Sequence, residues 1–214
     1  MRPGEALRAA LSDMYAQSWR LFLLNASLSA FVVSVVVAGF WAPVVWLLLL
    51  GAGPLAAALM HCALLVSATE ELRLADALTG LRRHWRRGIA LAAVTGTATF
   101  LAVEAISFYA GRGVLVLAVV GAYLLFVFGV YQLLLWPIAI LETNRSFRTV
   151  AADAVRALFA RPGQTLVFGT ALLAVNVAGI AAAVLPFLTL TIAYTFLASA
   201  HFALPPDRLR EAHA

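Results

Sequence analysis

The sequence is short of charge and of cysteine, and it contains no lysine at all. Only 12% of its 214 residues are charged, and Cys62 is the single cysteine. One cysteine excludes an intrachain disulfide, so cysteine usage does not constrain the redox compartment. Soluble domains are on average about a quarter charged and about half apolar, whereas 64% of this chain is hydrophobic. We therefore expect lipid to surround much of the protein.

Sequence motifs of the known enzyme classes are missing. There is no glycine-rich phosphate loop ending in Lys-Ser/Thr, no His-Glu-x-x-His, no Gly-x-Ser-x-Gly and no pair of cysteines. The four histidines, at positions 61, 84, 201 and 213, show no metal-ligand spacing. We predict a protein that is not an enzyme and that uses no cofactor or metal. An intramembrane enzyme with an unfamiliar site is the alternative.

Six apolar segments are each long enough to cross a bilayer, which takes about 20 residues at 1.5 Å per residue. They are residues 21–40, 44–67, 89–109, 114–141, 165–184 and 187–204. Very short connections containing proline or glycine follow the first, third and fifth segments, and such connections are typical of tight turns. The sequence therefore predicts an all-α, polytopic membrane helix bundle: a single integral membrane domain over residues 1–214, with six transmembrane helices arranged as three hairpins.

The arginines indicate how these spans are oriented. All of them except Arg112 lie in the N-terminal segment, in the connections near 69–88 and 142–164, or in the C-terminal tail. Because arginine accumulates on the cytoplasmic side, both termini are predicted to be cytoplasmic. The use of arginine in place of lysine suggests a GC-rich bacterial genome, so we expect the bacterial inner membrane. The arginines border apolar runs and form no continuous basic surface, which argues against nucleic-acid binding.

Each arginine-bearing segment also has the spacing of an amphipathic helix that precedes a hairpin. In the second segment, Leu74, Leu78 and Leu81 recur at steps of four and three, which is typical of a helix that lies in the headgroup plane. The three segments are either copies of one repeat or merely similar in composition. Their arginines are candidates for contact with anionic headgroups or with a protein partner: Arg82, Arg83, Arg86, Arg87, Arg148 and Arg156.

Four of the polar residues inside the apolar segments are candidates for a functional site, because such groups are expensive there and often functional. Glu104 is the one carboxylate within a predicted span and lies in its outer third. His61 and Gln132 lie toward the inner halves of the second and fourth spans, and Asn176 lies near the middle of the fifth. If the four face one another, they form a polar seam that either holds helices together or carries a solute. Glu104 has a second interpretation, in which it reaches the interface or pairs with Arg112.

Several short stretches are similar to those of a known family. They are Leu23-Leu24-Asn25, the stretch Gly53-Pro54-Leu55-Ala56-Ala57-Ala58-Leu59, Trp85-Arg86-Arg87 and Arg161-Pro162. On these stretches the chain resembles the YesL-like family of bacterial integral membrane proteins, which is built around a domain of unknown function. It departs from the family where Ala26-Ser27 follows the asparagine, since many members have an aromatic residue there. Members are often encoded near carbohydrate uptake systems and their sensor kinases, so the resemblance implies an accessory or regulatory role beside a sugar transporter and supplies no functional residues.

Three functions are consistent with these features. The first is a non-enzymatic membrane protein whose cytoplasmic helices engage a transporter or sensor subunit. The second is a small permease that moves a solute along the predicted polar seam. The third is an organiser of anionic lipid. A column of small residues in the first span, Ala26, Ala30, Ser34 and Ala38, favours close helix packing within the bundle or in a homo-oligomer.

Overall fold

The computed structural model describes residues 2–69, 72–182 and 190–204, and these ranges contain helices and no strand. The predicted all-α class is confirmed. The α-helices are α1 (Pro3–Ala16), α2 (Ser18–Gly39), α3 (Ala52–Thr69), α4 (Leu74–Gly111), α5 (Leu115–Leu141), α6 (Phe147–Ala160), α7 (Pro162–Ala182) and α8 (Ile192–Ala203). A 3-10 helix, Pro43–Gly51, leads directly into α3.

Five helical segments within the described ranges are long and apolar enough to cross a membrane. They are Trp19–Gly39, Val44–Thr69, Leu74–Gly111, Leu115–Leu141 and Pro162–Ala181. Helix α8 is also apolar but has 12 residues, and the sixth predicted span, 187–204, begins outside the described residues. The long apolar helices are compatible with a membrane helix bundle and indicate a membrane protein. The count of six crossings in three hairpins stays a prediction.

Helix α4 joins two predicted elements, an amphipathic cytoplasmic helix and the third span, without a break. Its 38 residues give a length of about 57 Å, well above the roughly 30 Å of a hydrocarbon core. The helix begins at Leu74, where the Asp76 carboxylate accepts a hydrogen bond from the backbone N–H of Arg73 at 2.8 Å. Since no proline interrupts residues 74–111, the arginine-bearing half and the apolar half form one rod.

Helices α3 and α4 are antiparallel and approach most closely at two glycines. A Cβ added to Gly88 would lie 2.6 Å from the carbonyl oxygen of Gly53 and 2.8 Å from the backbone nitrogen of Pro54. Farther along the pair, a Cβ on Gly80 would lie 2.8 Å from Cδ2 of His61. The backbones are therefore almost in contact, which is the small-residue packing common between helices in membranes.

Helices α4 and α5 are antiparallel as well, and two contacts fix their register. His84 Nδ1 lies 2.9 Å from the Thr143 hydroxyl oxygen, and a Cβ on Gly121 would lie 2.9 Å from Ile106 Cγ1. In an antiparallel pair, each step forward along one helix is matched by an equal step backward along the other, so the two numbers of every facing pair have the same sum, as they do in these two pairs. Any two residues of α4 and α5 whose numbers share that sum therefore lie at the same level of the two helices, because the rise per residue is constant.

Helix α1 packs lengthwise along α8. The Tyr194 hydroxyl donates to the Leu7 carbonyl at 3.1 Å, and His201 Nε2 lies 2.7 Å from Asp13 Oδ2. Because both numbers rise together, the two helices are parallel. A helix that lies flat in the headgroup plane cannot run alongside a helix that spans the membrane. The flat orientation predicted for the first amphipathic segment and the membrane span predicted for residues 187–204 therefore cannot both be correct. The fully buried Ala6 and its neighbours let α1 approach α8 closely.

Two apolar clusters hold the bundle together. One joins α3, α4, α5, α6 and α8, and the other joins α1, α2, α3, α7 and α8. Helix α6 lies within the predicted amphipathic segment 142–164, begins at the N-cap Ser146, and buries Val150, Ala154 and Leu158. These residues belong to the first cluster, so the apolar face of α6 is directed largely to protein. Phe159, however, is 71% exposed, so α6 also has an apolar residue on its outer side.

Candidate functional site: the α4–α5 interface and its arginine-rich end

The arginine-rich end of α4 presents three exposed arginine side chains to the surroundings. Arg82, Arg83 and Arg86 are all exposed. Trp85 lies among them with 47% of its surface exposed, and the guanidinium carbon of Arg86 is 5.2 Å from the centre of its ring. Arginine beside an exposed tryptophan is typical of the boundary between lipid tails and headgroups.

Arg87 has a different position from its three neighbours. Its Nη1 donates to the carbonyl of Glu142 at 3.0 Å, and its Nη2 donates to the carbonyl of Arg145 at 3.1 Å. These carbonyls follow the end of α5, where the helix leaves its last acceptors without intrahelical donors. Arg87 therefore fixes the α5–α6 connection to α4, and its predicted contact with anionic headgroups or a protein partner stays a prediction.

The α5–α6 connection carries a charge network of its own. Arg145 forms ion pairs with Glu142 and with Asp153, the latter at 2.8 Å. Arg156, one of the predicted contact residues, also pairs with Asp153 at 3.0 Å, whereas Arg148 is exposed. The hydrogen bond to Glu142, together with the attraction of both carboxylates, raises the pKa of Arg145 above its usual range. These ion pairs therefore stabilise the α5–α6 connection.

His84 lies at the arginine-rich end of the α4–α5 interface, and it is 1% exposed. The Thr143 hydroxyl donates to the Ile140 carbonyl at 2.8 Å, so the same hydroxyl oxygen accepts from His84 Nδ1–H at 2.9 Å. That assigns the neutral ring its Nδ1–H tautomer. His61, predicted to belong to the polar seam, packs on this ring with 5.1 Å between ring centres.

Gln132 and Thr95 lie in the middle of the same interface. Gln132 is 8% exposed, and neither its amide oxygen nor its amide nitrogen has a hydrogen-bond partner in the described part of the chain. The buried Thr95 hydroxyl on the facing helix is likewise without a partner there. The numbers 95 and 132 have the same sum as 84 and 143, so the two residues lie at one level.

A cavity of about 490 Å³ lies between α4, α5, α7 and α8. Its wall is mainly apolar, and Thr99, Asn176 and Thr195 are its polar members. Asn176, also predicted to belong to the polar seam, donates from Nδ2 to the Thr195 hydroxyl at 2.9 Å and to the Leu172 carbonyl at 2.8 Å. Asn176 thus joins α7 to α8, the role of interhelical hydrogen bonds in membranes.

Glu104 lies on the exposed side of α4 with large apolar residues around it, among them Phe100 and Leu101. Arg112, its predicted partner, lies with its guanidinium carbon 4.3 Å from the centre of the Phe108 ring. The structure thus gives the four predicted seam residues different surroundings: His61 is beside His84, Gln132 is in the α4–α5 interface, Asn176 is on α7 and bonds to Thr195 of α8, and Glu104 is on the outer surface.

A contact between the N-terminal helix and α8 was not predicted from the sequence. Asp13 and His201 are 18% and 11% exposed at their side chains and lie 2.7 Å apart. Asp13 was a polar residue on an amphipathic helix and His201 a polar residue near a helix end, and no local pattern connects positions so far apart in the chain. Elsewhere in the described ranges, no group of three or more His, Cys, Asp or Glu residues could hold a metal ion.

Comparisons of the chain with protein-family models, with curated proteins and with solved structures found no match. What the fold and site define is therefore a class of protein, an apolar helix bundle of membrane type with a charged end and a polar interface inside it.

Proposed function

We propose that this protein is a non-enzymatic accessory or regulatory component of a membrane transport system in the bacterial inner membrane, with both termini in the cytoplasm. The observation that carries the proposal is the arginine-rich end of α4, where exposed guanidinium groups and the charged α5–α6 connection form a polar surface at one end of the helices. Such a surface suits a cytoplasmic partner or a headgroup layer. The YesL-like resemblance points to a carbohydrate uptake system. A reporter fused after Ala214 should be active in the cytoplasm only.

Purification of the tagged full-length protein from native membranes in a mild detergent tests the accessory role. We expect a transporter or sensor subunit to co-purify with the wild-type protein. The triple variant Arg82→Glu, Arg83→Glu, Arg148→Glu should lose that subunit, because reversed charge repels a complementary partner surface. Arg112→Glu, at the opposite end of α4, is the matched control and should retain it. A wild-type protein that always emerges alone would contradict the proposal.

The exposure of Arg82, Arg83 and Arg86 beside Trp85 specifically favours a second candidate, an organiser of anionic lipid. Each arginine near an anionic surface contributes about 1 kcal/mol, so replacing all three by glutamine should lower the preference for phosphatidylglycerol over phosphatidylcholine by roughly 100-fold. The ratio of the two lipids retained around the purified protein measures this preference. Arg112→Gln should leave the ratio unchanged, and an unchanged ratio in the triple variant would rule out lipid selection by this end.

The permease alternative has less support, because it needs its four polar residues along one path. Only Asn176 among them lines the cavity, and Glu104 is on the outer surface.

A further inference from the structure

The middle of the α4–α5 interface contains more hydrogen-bonding capacity than the described protein uses. The side-chain amide of Gln132 offers two donor hydrogens and an acceptor oxygen. Both amide atoms are buried and without a partner in residues 2–69, 72–182 and 190–204. Buried polar atoms nearly always have a partner in native structures, so each exception needs an explanation such as a bound molecule.

Thr95 directs a second unused group to the same place. On α4, positions 84, 91 and 95 are separated by steps of seven and four, which keeps them on one side of a helix. His84 contacts Thr143, two residues past the end of α5, and the fully buried Leu91 packs in the cluster that contains Leu134 and Leu135 of α5. On α5, Gln132 is 11 residues from Gly121, and on α4, Thr95 is 11 residues from Ile106, whose side chain lies against Gly121; 11 residues are three turns of helix. Thr95 and Gln132 therefore face each other across the two helices.

A backbone acceptor lies next to this pair. Pro137 is inside α5, and it has no N–H to donate to the carbonyl of Leu133 four residues earlier. That carbonyl follows Gln132 directly in the chain. An acceptor that lacks its usual intrahelical donor thus stands one residue from Gln132 in the chain.

The charges around the pair decide which chemistry fits. His84, three turns away on α4, uses its Nδ1–H on the Thr143 hydroxyl oxygen, and Glu104 lies on the exposed side of the helix. The groups that face the pair are neutral donors and acceptors, which would leave an ion uncompensated in a helix bundle of this kind. A neutral molecule that both donates and accepts hydrogen bonds satisfies them.

We propose that Thr95 and Gln132 form a binding site for a small uncharged hydrogen-bonding molecule, either water or a small polyol. The cavity described above lies beside the site, since its wall includes Thr99, one turn from Thr95, and Gly129, one turn from Gln132. Its volume of about 490 Å³ exceeds what one such molecule needs.

The test uses the full-length protein in lipid nanodiscs and compares the wild type with Gln132→Leu, Thr95→Val and the double variant. If the site is occupied, Gln132→Leu removes hydrogen bonds that are made, and the unfolding temperature should fall by about 3 °C or more. Thr95→Val should then cost less in the Gln132→Leu background than in the wild type, because both side chains bind the same molecule. Asn176→Leu, at another polar position of the bundle, should show no such coupling to Thr95→Val.

Glycerol at millimolar concentration distinguishes the two sources. A saturable rise in the unfolding temperature of the wild type that is absent in Gln132→Leu identifies a polyol site. A fall in the unfolding temperature of Gln132→Leu with no effect of glycerol on the wild type identifies water. If Gln132→Leu unfolds at the wild-type temperature or above, and glycerol has no effect that depends on Gln132, the side chains are dry and the proposal is wrong.

Discussion

Replacing Gly88 with alanine is expected to abolish the packing of α3 against α4 and to leave little folded protein. The new Cβ would lie 2.6 Å from the Gly53 carbonyl oxygen and 2.8 Å from the Pro54 nitrogen, and both of these are backbone atoms that cannot rotate away. The helices would have to separate, and overpacking of this kind costs about 3 kcal/mol or more. Thermal unfolding in detergent, monitored by size-exclusion chromatography, measures the loss.

Gly96 provides the matched control in the same helix. It is exposed, and a Cβ there would meet no atom within 4 Å. Gly96→Ala should therefore be neutral or stabilise the helix by up to about 1 kcal/mol, since alanine is the better helix former. Equal behaviour of the two variants would show that α3 and α4 are not in the close contact described.

Asp13→Ala is expected to release α1 from α8. Asp13 and His201 are mostly buried and hydrogen-bonded at 2.7 Å, and removal of one partner leaves the other buried without compensation. We expect a loss of about 2–3 kcal/mol. His201→Ala should have a similar effect, and the double variant should lose much less than the sum of the two single variants, because one contact cannot be lost twice. Thermal unfolding of the four proteins gives the coupling energy.

Asp153→Ala is the control for this cycle. It removes a carboxylate whose partners, Arg145 and Arg156, are 46% and 79% exposed at their side chains. Exposed ion pairs are screened by solvent, so the variant should unfold close to the wild type. Additive losses from Asp13→Ala and His201→Ala would contradict the pairing of α1 with α8.

Apolar length was a reliable guide to the helices themselves. The fourth predicted span, 114–141, corresponds to α5 at Leu115–Leu141, because a run of that length can be little else than a helix. The continuity of α4 could not be predicted, since the charged stretch near 69–88 is typical of a connection between spans and the contact of Gly88 with Gly53 joins residues far apart in the chain. The contact of α1 with α8 could not be predicted for the same reason: the periodicity of α1 shows that one face is apolar but not whether lipid or α8 covers that face.

The candidate site was only partly accessible to sequence reasoning. Gln132 stands out as a polar residue in an apolar run, whereas Thr95 is unremarkable because a threonine in a helix commonly satisfies its own hydroxyl on the backbone. Pairing the two needs the register of α4 against α5, which is set by contacts between distant residues such as His84 and Thr143. The division of the arginines into the exposed Arg86 and the anchored Arg87 likewise depends on a loop that folds back onto α4.

Because α4 is uninterrupted, it can transmit a displacement from one of its ends to the other. Gly88 lies against the backbone of Gly53 and is nearer to Leu74 than to Gly111. This contact therefore divides α4 into a shorter and a longer part. If a partner or headgroup tilted the shorter part, the longer part would tilt through the same angle. The end of the helix at Gly111 would then move the greater distance. A displacement at the arginines would thus be carried along one continuous helix as far as Gly111.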